Sequence, residues 1–310
     1  MNDFIQYLHA VAQRKRADGK SKTAGNYDCS ARALAKYLKI KGRASALPFS
    51  DFNPELLESF EAYLLGACHI SRNTSSFYMR SLRAVWNMAR REGFAPQTEP
   101  FANVYTGIDR TRHRATADVN IKRLFTAELD DCRHLAFARD IFLFSFLGHG
   151  IAFVDIAKML KRNLCQGCIS YTRSKTGQHL TVRVTPAIDA IIQRWADPMS
   201  PYLLPIVKLP FSSRNYDNAL HNYNRNLRQL AKRLGINDRL TSYTARHSWA
   251  SEAYRLQVPI SVISSCMGHT TENTTRIYLR SLDSEFIASH AAVVENYFVA
   301  HEPPEPGMDV

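Results

Sequence analysis

The chain has 310 residues, 45% hydrophobic and 22% charged, the composition of an ordinary globular protein with room for two domains. Lys and Arg number 40 against 28 Asp and Glu, a net charge of +12 that points to a polyanionic partner. No run approaches the ~18 apolar residues of a membrane span. The N-terminus (Met1, Asn2, Asp3, Phe4) lacks the apolar core of a secretion signal, so a cytoplasmic protein with reduced thiols is expected.

Apolar residues at Phe4, Ile5, Leu8, Val11 and Ala12 predict a first helix from Phe4 to Arg14. A second, from Thr23 to Ile40, buries Ala33, Leu34, Tyr37 and Leu38. Asn53 before Pro54 reads as an N-cap and first helical position, opening a third helix that runs to Gly66. The fourth, Asn73 to Arg91, has an apolar face of Phe77, Leu82, Val85, Trp86, Met88 and Ala89. Its flanks hold Arg72, Arg80, Arg83, Arg90 and Arg91 with no acid before Glu92. A solvated face usually mixes signs, so this one is expected to lie against phosphates.

Pro96 to Arg114 reads as a linker ending in the basic cluster Arg110, Arg112, His113 and Arg114. Beyond it, Thr126 reads as the N-cap of a helix, and Leu135 to Leu147 as a strongly apolar helix suited to burial. Residues 169–173 and 180–184 alternate around the turn Ser174 to Gln178 and predict a hairpin. Helices follow from Pro186 to Trp195, with Thr185 as cap, and from Tyr216 to Leu234; the tail from Glu302 to Pro306 reads as disordered. Cys165 and Cys168 have zinc-ligand spacing but no second pair nearby, so a turn between strands is expected there.

Four stretches carry chemistry. Residues 240–251 read Leu-Thr-Ser-Tyr-Thr-Ala-Arg-His-Ser-Trp-Ala-Ser, and residues 267–270 read Met-Gly-His-Thr. Residues 274–279 read Thr-Thr-Arg-Ile-Tyr-Leu, and residues 171–178 read Tyr-Thr-Arg-Ser-Lys-Thr-Gly-Gln. In order and spacing these resemble the tyrosine recombinase (phage integrase) family. They match its His-x-x-Arg signature, its Leu-Gly-His box, its Thr-Thr-x-x-Tyr nucleophile segment and the strand–turn–strand that carries its lysine. The similarity covers nearly the whole chain, and Ala245 to Ser251 with Met267 to His269 look like the Bacteroidetes-type integrases in particular.

The resemblance implies that Tyr278 attacks a DNA phosphate and forms a phosphotyrosine that keeps the bond energy for religation. Arg246 would relieve charge on the non-bridging oxygens, since a guanidinium grips phosphate bidentately and stays protonated. Lys175 resembles the general acid for the leaving 5′ oxygen, and His269 would hydrogen-bond the phosphate or assist Tyr278. No metal, nucleotide or other cofactor is required. Outside this context Tyr278 would read as core and Lys175 as a solvated turn lysine; His247 keeps the reading of a packed core histidine.

Two positions depart from the family. Tyr243 stands where the first His of His-x-x-Arg is usual, and a phenol also hydrogen-bonds a phosphate oxygen. The arginine placed shortly before the stretch resembling Phe153 to Ala157 is missing. His149 stands in its place and Arg139 is a second candidate for that grip, while Asp155 matches the family's orienting acid.

The expected fold is mainly α with a small antiparallel β-sheet (α+β), arranged as a C-shaped DNA clamp. A helical core-binding domain covers residues 1–105, a basic linker 106–114, a catalytic domain 115–300 and a disordered tail 301–310. The expected function is site-specific DNA recombination (integration, excision or inversion) through a 3′-phosphotyrosyl intermediate and a Holliday junction. A homotetramer on double-stranded DNA with a specific site is the implied assembly, and an amphipathic segment from Phe286 to Phe298 suits docking either on the next subunit or on its own domain. Candidate catalytic residues are Tyr278, Arg246, His269, Lys175, Tyr243 and His149. Candidate DNA contacts are Arg72, Arg80, Arg83, Arg90, Arg91, Arg110, Arg112 and Arg114. No metal, membrane or small-molecule substrate is expected. Two alternatives are a DNA-binding member of the same fold with weak or no catalysis, and a type IB topoisomerase-like enzyme that uses the same chemistry without partner synapsis.

Overall fold

The computed structural model describes residues 2–42, 46–109 and 115–279, the last three by helical backbone alone. The chain divides into two compact units, Met1–Thr111 and Arg112–Val310, each with its own apolar core.

The first unit is helical: α1 (Phe4–Ala17), α2 (Ser21–Ile40), α3 (Pro54–Gly66) and α4 (Arg72–Arg91). Asp3 caps α1 by accepting from the backbone nitrogen of Gln6 at 2.6 Å, and its other oxygen accepts from that of Leu47. Asn53 accepts from Leu56 at 2.9 Å, with Pro54 opening α3 as the sequence predicts. The core gathers on Trp86 of α4, which stacks on Phe52 at 4.8 Å and meets Phe4 edge-on at 6.0 Å. Segment 98–109 then runs back along α4, antiparallel to it, held by that helix's polar side chains.

The second unit is built on α6 (Arg133–Leu147), whose side chains are buried on every side, as its apolar composition requires. Around α6 pack α5 (Asp118–Thr126), α8 (Pro186–Trp195), α9 (Ser213–Arg233) and α10 (Thr244–Arg255). The expected helix opening at Thr126 is corrected: α5 ends there. The Thr126 hydroxyl donates back to the carbonyl of Lys122 at 3.2 Å, closing a last turn instead of capping a first one. Between α6 and α8 lie α7 (Phe153–Lys158) and the strands β1 (Leu164–Cys165), β2 (Cys168–Thr172) and β3 (His179–Arg183). They form one antiparallel sheet in the order β1-β2-β3, with Ile169 opposite Val182 and Tyr171 opposite Leu180.

Cys165 and Cys168 pair across the β1–β2 turn, whose central residues Gln166 and Gly167 have φ of 49° and 72°. Two positive values in succession are what a two-residue hairpin demands. The expected turn is therefore what the cysteine spacing encodes, and both thiols are free. Two short helices complete the described part, α11 (Ile260–Cys266) and α12 (Glu272–Leu279), both packed on α10. Among the described residues no helix is long and apolar enough to cross a membrane, and no three His, Cys, Asp or Glu side chains gather as a metal site. The predicted segment Phe286 to Phe298, the tail, and Arg110, Arg112 and Arg114 lie outside the described residues.

Candidate active site

Arg246 sits in the first turn of α10 and is 3% exposed. Its Nη1 donates to the carbonyl of Gly150 at 2.6 Å; its Nη2 donates to the carbonyl of Met267 at 2.5 Å and lies 3.0 Å from His269 Nε2. Gly150 has φ of +75°, and a Cβ there would stand 2.9 Å from Arg246 Cγ and 3.0 Å from its Cα. Only glycine lets the two backbones approach so closely, so Gly150 is part of what fixes the guanidinium.

His269 follows Gly268 in the loop between α11 and α12 and is 7% exposed. Arginine can only donate, so His269 Nε2 is the acceptor and the ring proton sits on Nδ1, 2.8 Å from Thr275 Oγ1. Thr275 is buried on α12, the helix that carries Tyr278. A hydrogen-bonded chain thus runs from Arg246 through His269 to α12. Burial, then the charges of Arg246, Arg173 and Lys175, pull the His269 pKa down to about 3, so the ring is neutral at physiological pH.

The β2–β3 turn closes over the same loop. Lys175 is exposed at its tip. Asp155 of α7, itself buried, accepts from the backbone nitrogen of Ser174 at 2.9 Å and anchors the turn. The turn grips the loop through Thr176, which donates to the carbonyl of Gly268 at 3.2 Å, and Gln178, which reaches the carbonyl of His269 at 3.4 Å. Arg173, at the root of the turn, is 5% exposed and donates from Nη1 to that same Gly268 carbonyl. Sequence reading passed over Arg173 and Thr275. The signal for Arg173 was present: with period two, it follows the buried Ile169 and Tyr171 on the inward face of β2.

Arg246, His269 and the Lys175 turn are therefore brought together, and Tyr278 lies on the helix tied to them; its side chain is outside the described residues. Tyr243 ends up 53% exposed just before α10, its hydroxyl without a hydrogen bond among the described residues. His149 has φ of 63°, a left-handed value, and its ring lies 5.2 Å from that of Trp249. Burial lowers its pKa, so the imidazole is held neutral. His247 is half-buried, less enclosed than a core histidine. Arg139 is removed as a substitute for the missing arginine. Its Nε pairs with Asp140 at 2.7 Å and its Nη1 with the carbonyl of Ala127 at 2.5 Å. It also stands about 12 Å of helix axis before the end of α6.

The arginines of α4 have intramolecular work. Arg72 lies 3.7 Å over the Tyr105 ring, and Arg80 donates to the carbonyl of Gly107 at 2.7 Å. Arg83 donates to Thr106 at 2.9 Å and Arg90 to Glu99 at 2.5 Å; Arg91 is exposed. The absence of acids on this helix thus reflects, in part, a row of arginines pinning segment 98–109.

The class of protein is that of the site-specific DNA recombinases that use a tyrosine. Residues 3–104 match the phage integrase SAM-like domain and residues 121–285 the phage integrase family. The chain belongs to the phage integrase family and is a tyrosine site-specific recombinase, an enzyme of DNA recombination. No curated protein sequence matches it. Solved structures share its fold at low identity. The Tn1549 transposon integrase in complex with transposon right end DNA is 14% identical, with 94% of this chain and 99% of that one covered and a TM-score of 0.68. The lambda integrase dimer bound to a COC′ core site is 17% identical, with 90% and 79% covered and a TM-score of 0.64. XerH recombinase bound to palindromic difH substrate is 16% identical, with 93% and 84% covered and a TM-score of 0.65.

Proposed function

We propose that Tyr278 is the nucleophile of this recombinase and that it forms a 3′-phosphotyrosyl bond with double-stranded DNA at a specific recombination site. The observation that carries this reading is the hydrogen-bonded chain from Arg246 through His269 to Thr275 on the helix of Tyr278. Arg246 turns its fixed donors from carbonyls and imidazole to a non-bridging phosphate oxygen. Phosphate binding also changes His269. The cations that depress its pKa are offset by the arriving anion, so its basicity rises when DNA is in place, and Nε2 is the lone pair that takes the phenolic proton. Lys175 protonates the 5′ oxygen as it leaves. Tyr243, exposed at the start of α10, offers its hydroxyl to the phosphate or the adjacent backbone.

The residues divide into a core-binding domain (1–105), a linker (106–114) and a catalytic domain (115–300), and recombination proceeds through a Holliday junction in a homotetramer. Arg72, Arg83 and Arg91, exposed on the first unit, with Arg110, Arg112 and Arg114 of the linker, contact the DNA backbone. Within the family we place the chain with the Bacteroidetes-type integrases, on the stretches Ala245 to Ser251 and Met267 to His269. A second reading, a DNA-binding member with slow chemistry, is favoured by the neutral His149 at the position of the missing arginine.

The test is a screen of nicked suicide duplexes tiled across the DNA that flanks the gene, with covalent adducts resolved on denaturing gels. The native protein forms an adduct on one of them, and Tyr278→Phe binds that duplex equally well without forming any. Adducts with the Phe variant would remove Tyr278 as nucleophile; sequence-specific binding without native adducts would establish the second reading.

A further inference from the structure

We propose that Arg173 supplies the second guanidinium on the scissile phosphate, taking over the charge that position 149 no longer provides. This rests on the nucleophile assignment above. Arg173 and Arg246 hold successive carbonyls of one loop, those of Gly268 and Met267, and both charges act on the neighbouring His269. Both lie inside the protein, at 5% and 3% exposure.

Arg173 is unusual in what it lacks. A guanidinium has five N–H groups, and burying one without an anion costs several kcal/mol unless those groups are satisfied. Among the described residues Arg173 has no carboxylate within ion-pair distance; its guanidinium donates to one carbonyl, and its buried Nε has no partner. The other buried arginine that could have served, Arg139, is spent on Asp140. A phosphodiester is the one anion that the reaction itself brings to this loop, and it matches the fork of donors that Arg173 leaves open.

His149 cannot do the same work. Its ring is half-buried against Trp249, held neutral, and offers one donor where a guanidinium offers a charged pair. The placement of Arg173 is also rigid. Its own backbone is locked by a hydrogen bond to the carbonyl of Gln178 at 2.8 Å, and the turn it roots is anchored on Asp155. In the step itself the Tyr278 oxygen bonds to phosphorus as the bond to the 5′ oxygen breaks. The phenolic proton goes to His269 and the 5′ oxygen takes one from Lys175. Arg173 exchanges no proton and neutralises charge on a non-bridging oxygen.

The experiment uses the adduct-forming duplex in two versions, one with the ordinary scissile phosphate and one with a methylphosphonate, in which a neutral methyl group replaces a charged oxygen. Single-turnover cleavage is measured for the native protein, Arg173→Ala and Arg173→Lys, with DNA affinity and thermal melting alongside. On the ordinary phosphate Arg173→Ala cleaves about 100- to 1000-fold slower than native, the usual loss for one oxyanion donor. On the methylphosphonate, where there is less charge to neutralise, it cleaves at the native protein's rate on that same substrate. An Arg173→Ala defect equal on both substrates would make Arg173 a structural brace of the turn and overturn the proposal, as would an undiminished rate on the phosphate. Should the Ala variant not fold, Arg173→Lys, which keeps the charge and can keep the bond to Gly268, gives the same comparison of substrates. A native protein that forms no adduct on any duplex would fail at the nucleophile assignment and take this proposal with it.

Discussion

Replacing Thr275 with valine tests whether the neutral, Nδ1-protonated state of His269 matters for cleavage. His269 Nδ1 and Thr275 Oγ1 are 2.8 Å apart and both residues are buried, so valine removes the acceptor while keeping the shape. The ring is then left with two poor states. It can keep the proton on Nδ1 without a partner, at about 1–3 kcal/mol for a buried unsatisfied donor. Or it can move the proton to Nε2, where it faces the Arg246 donor 3.0 Å away. The first state leaves the Nε2 lone pair on a ring no longer held by Thr275, and the second removes that lone pair from Tyr278. With about 1.4 kcal/mol per factor of ten, the expected loss is roughly 5- to 150-fold in single-turnover cleavage. Thr275→Ser, which keeps the oxygen, should cleave near the native rate. Melting curves of all three proteins separate a loosened α12 from a misdirected ring. Native-rate cleavage by the valine variant would show that the Thr275 contact does not set the working state of His269. A serine variant as slow as valine would assign the effect to packing of the methyl group instead.

Two further outcomes follow from the same geometry. Adding His149→Arg to the Arg173→Ala protein should restore cleavage of the ordinary phosphate, and a double variant as slow as Arg173→Ala would show that position 149 does not reach the phosphate. His269 should also make stability pH-dependent. Its folded pKa of about 3 lies below an unfolded value of about 6.5, so its contribution is complete above 6.5 and is lost as pH falls, by up to ~1.4 kcal/mol per pH unit. His269→Asn should flatten that part of the decline in Tm between about pH 7.5 and about pH 5; equal declines in both proteins would mean that His269 titrates normally.

The helical first unit and the sheet were legible because their signals are local. Asn53 with Pro54, and Thr185 with Pro186, are caps whose oxygens accept the expected backbone bonds. The alternation of residues 169–173 and 180–184 marked the hairpin, and the pairing of Ile169 with Val182 and Tyr171 with Leu180 is the structure's own. Thr126 misled for an equally local reason, since threonine closes helices through its hydroxyl as well as opening them, and only the tertiary neighbours of α5 decide between the two. The intramolecular contacts of the α4 arginines were not legible, because composition shows an unbalanced charge but not its distance from backbone carbonyls. Segment 98–109 had been read as linker, and its carbonyls and side chains are where those donors go.

The site divides in the same way. Arg246, His269, Lys175 and Tyr278 were named through the resemblance of their motifs to the family's, whereas the contacts around them could not be read that way. Gly150 brings its backbone within contact of Arg246, and no motif named in the sequence marks it out from other loop glycines. Gly268 belongs to the Met-Gly-His box, but its close approach to Arg173 was not legible there. The missing arginine is the sharpest case. Read along the chain, the loss at position 149 looks like a loss of charge, and the search for a substitute stays near it in sequence. Folding makes nearness a matter of the loop between α11 and α12 instead. Arg173 lies 24 residues beyond His149, on another element, yet it holds the carbonyl next to the one held by Arg246. Charge at a phosphate site depends on where guanidiniums converge, and that convergence point can be supplied from any strand or helix that reaches the loop. On the proposal made above, an imidazole at position 149 is compatible with full catalysis, because Arg173 at the root of the β2–β3 turn meets the requirement that the imidazole does not.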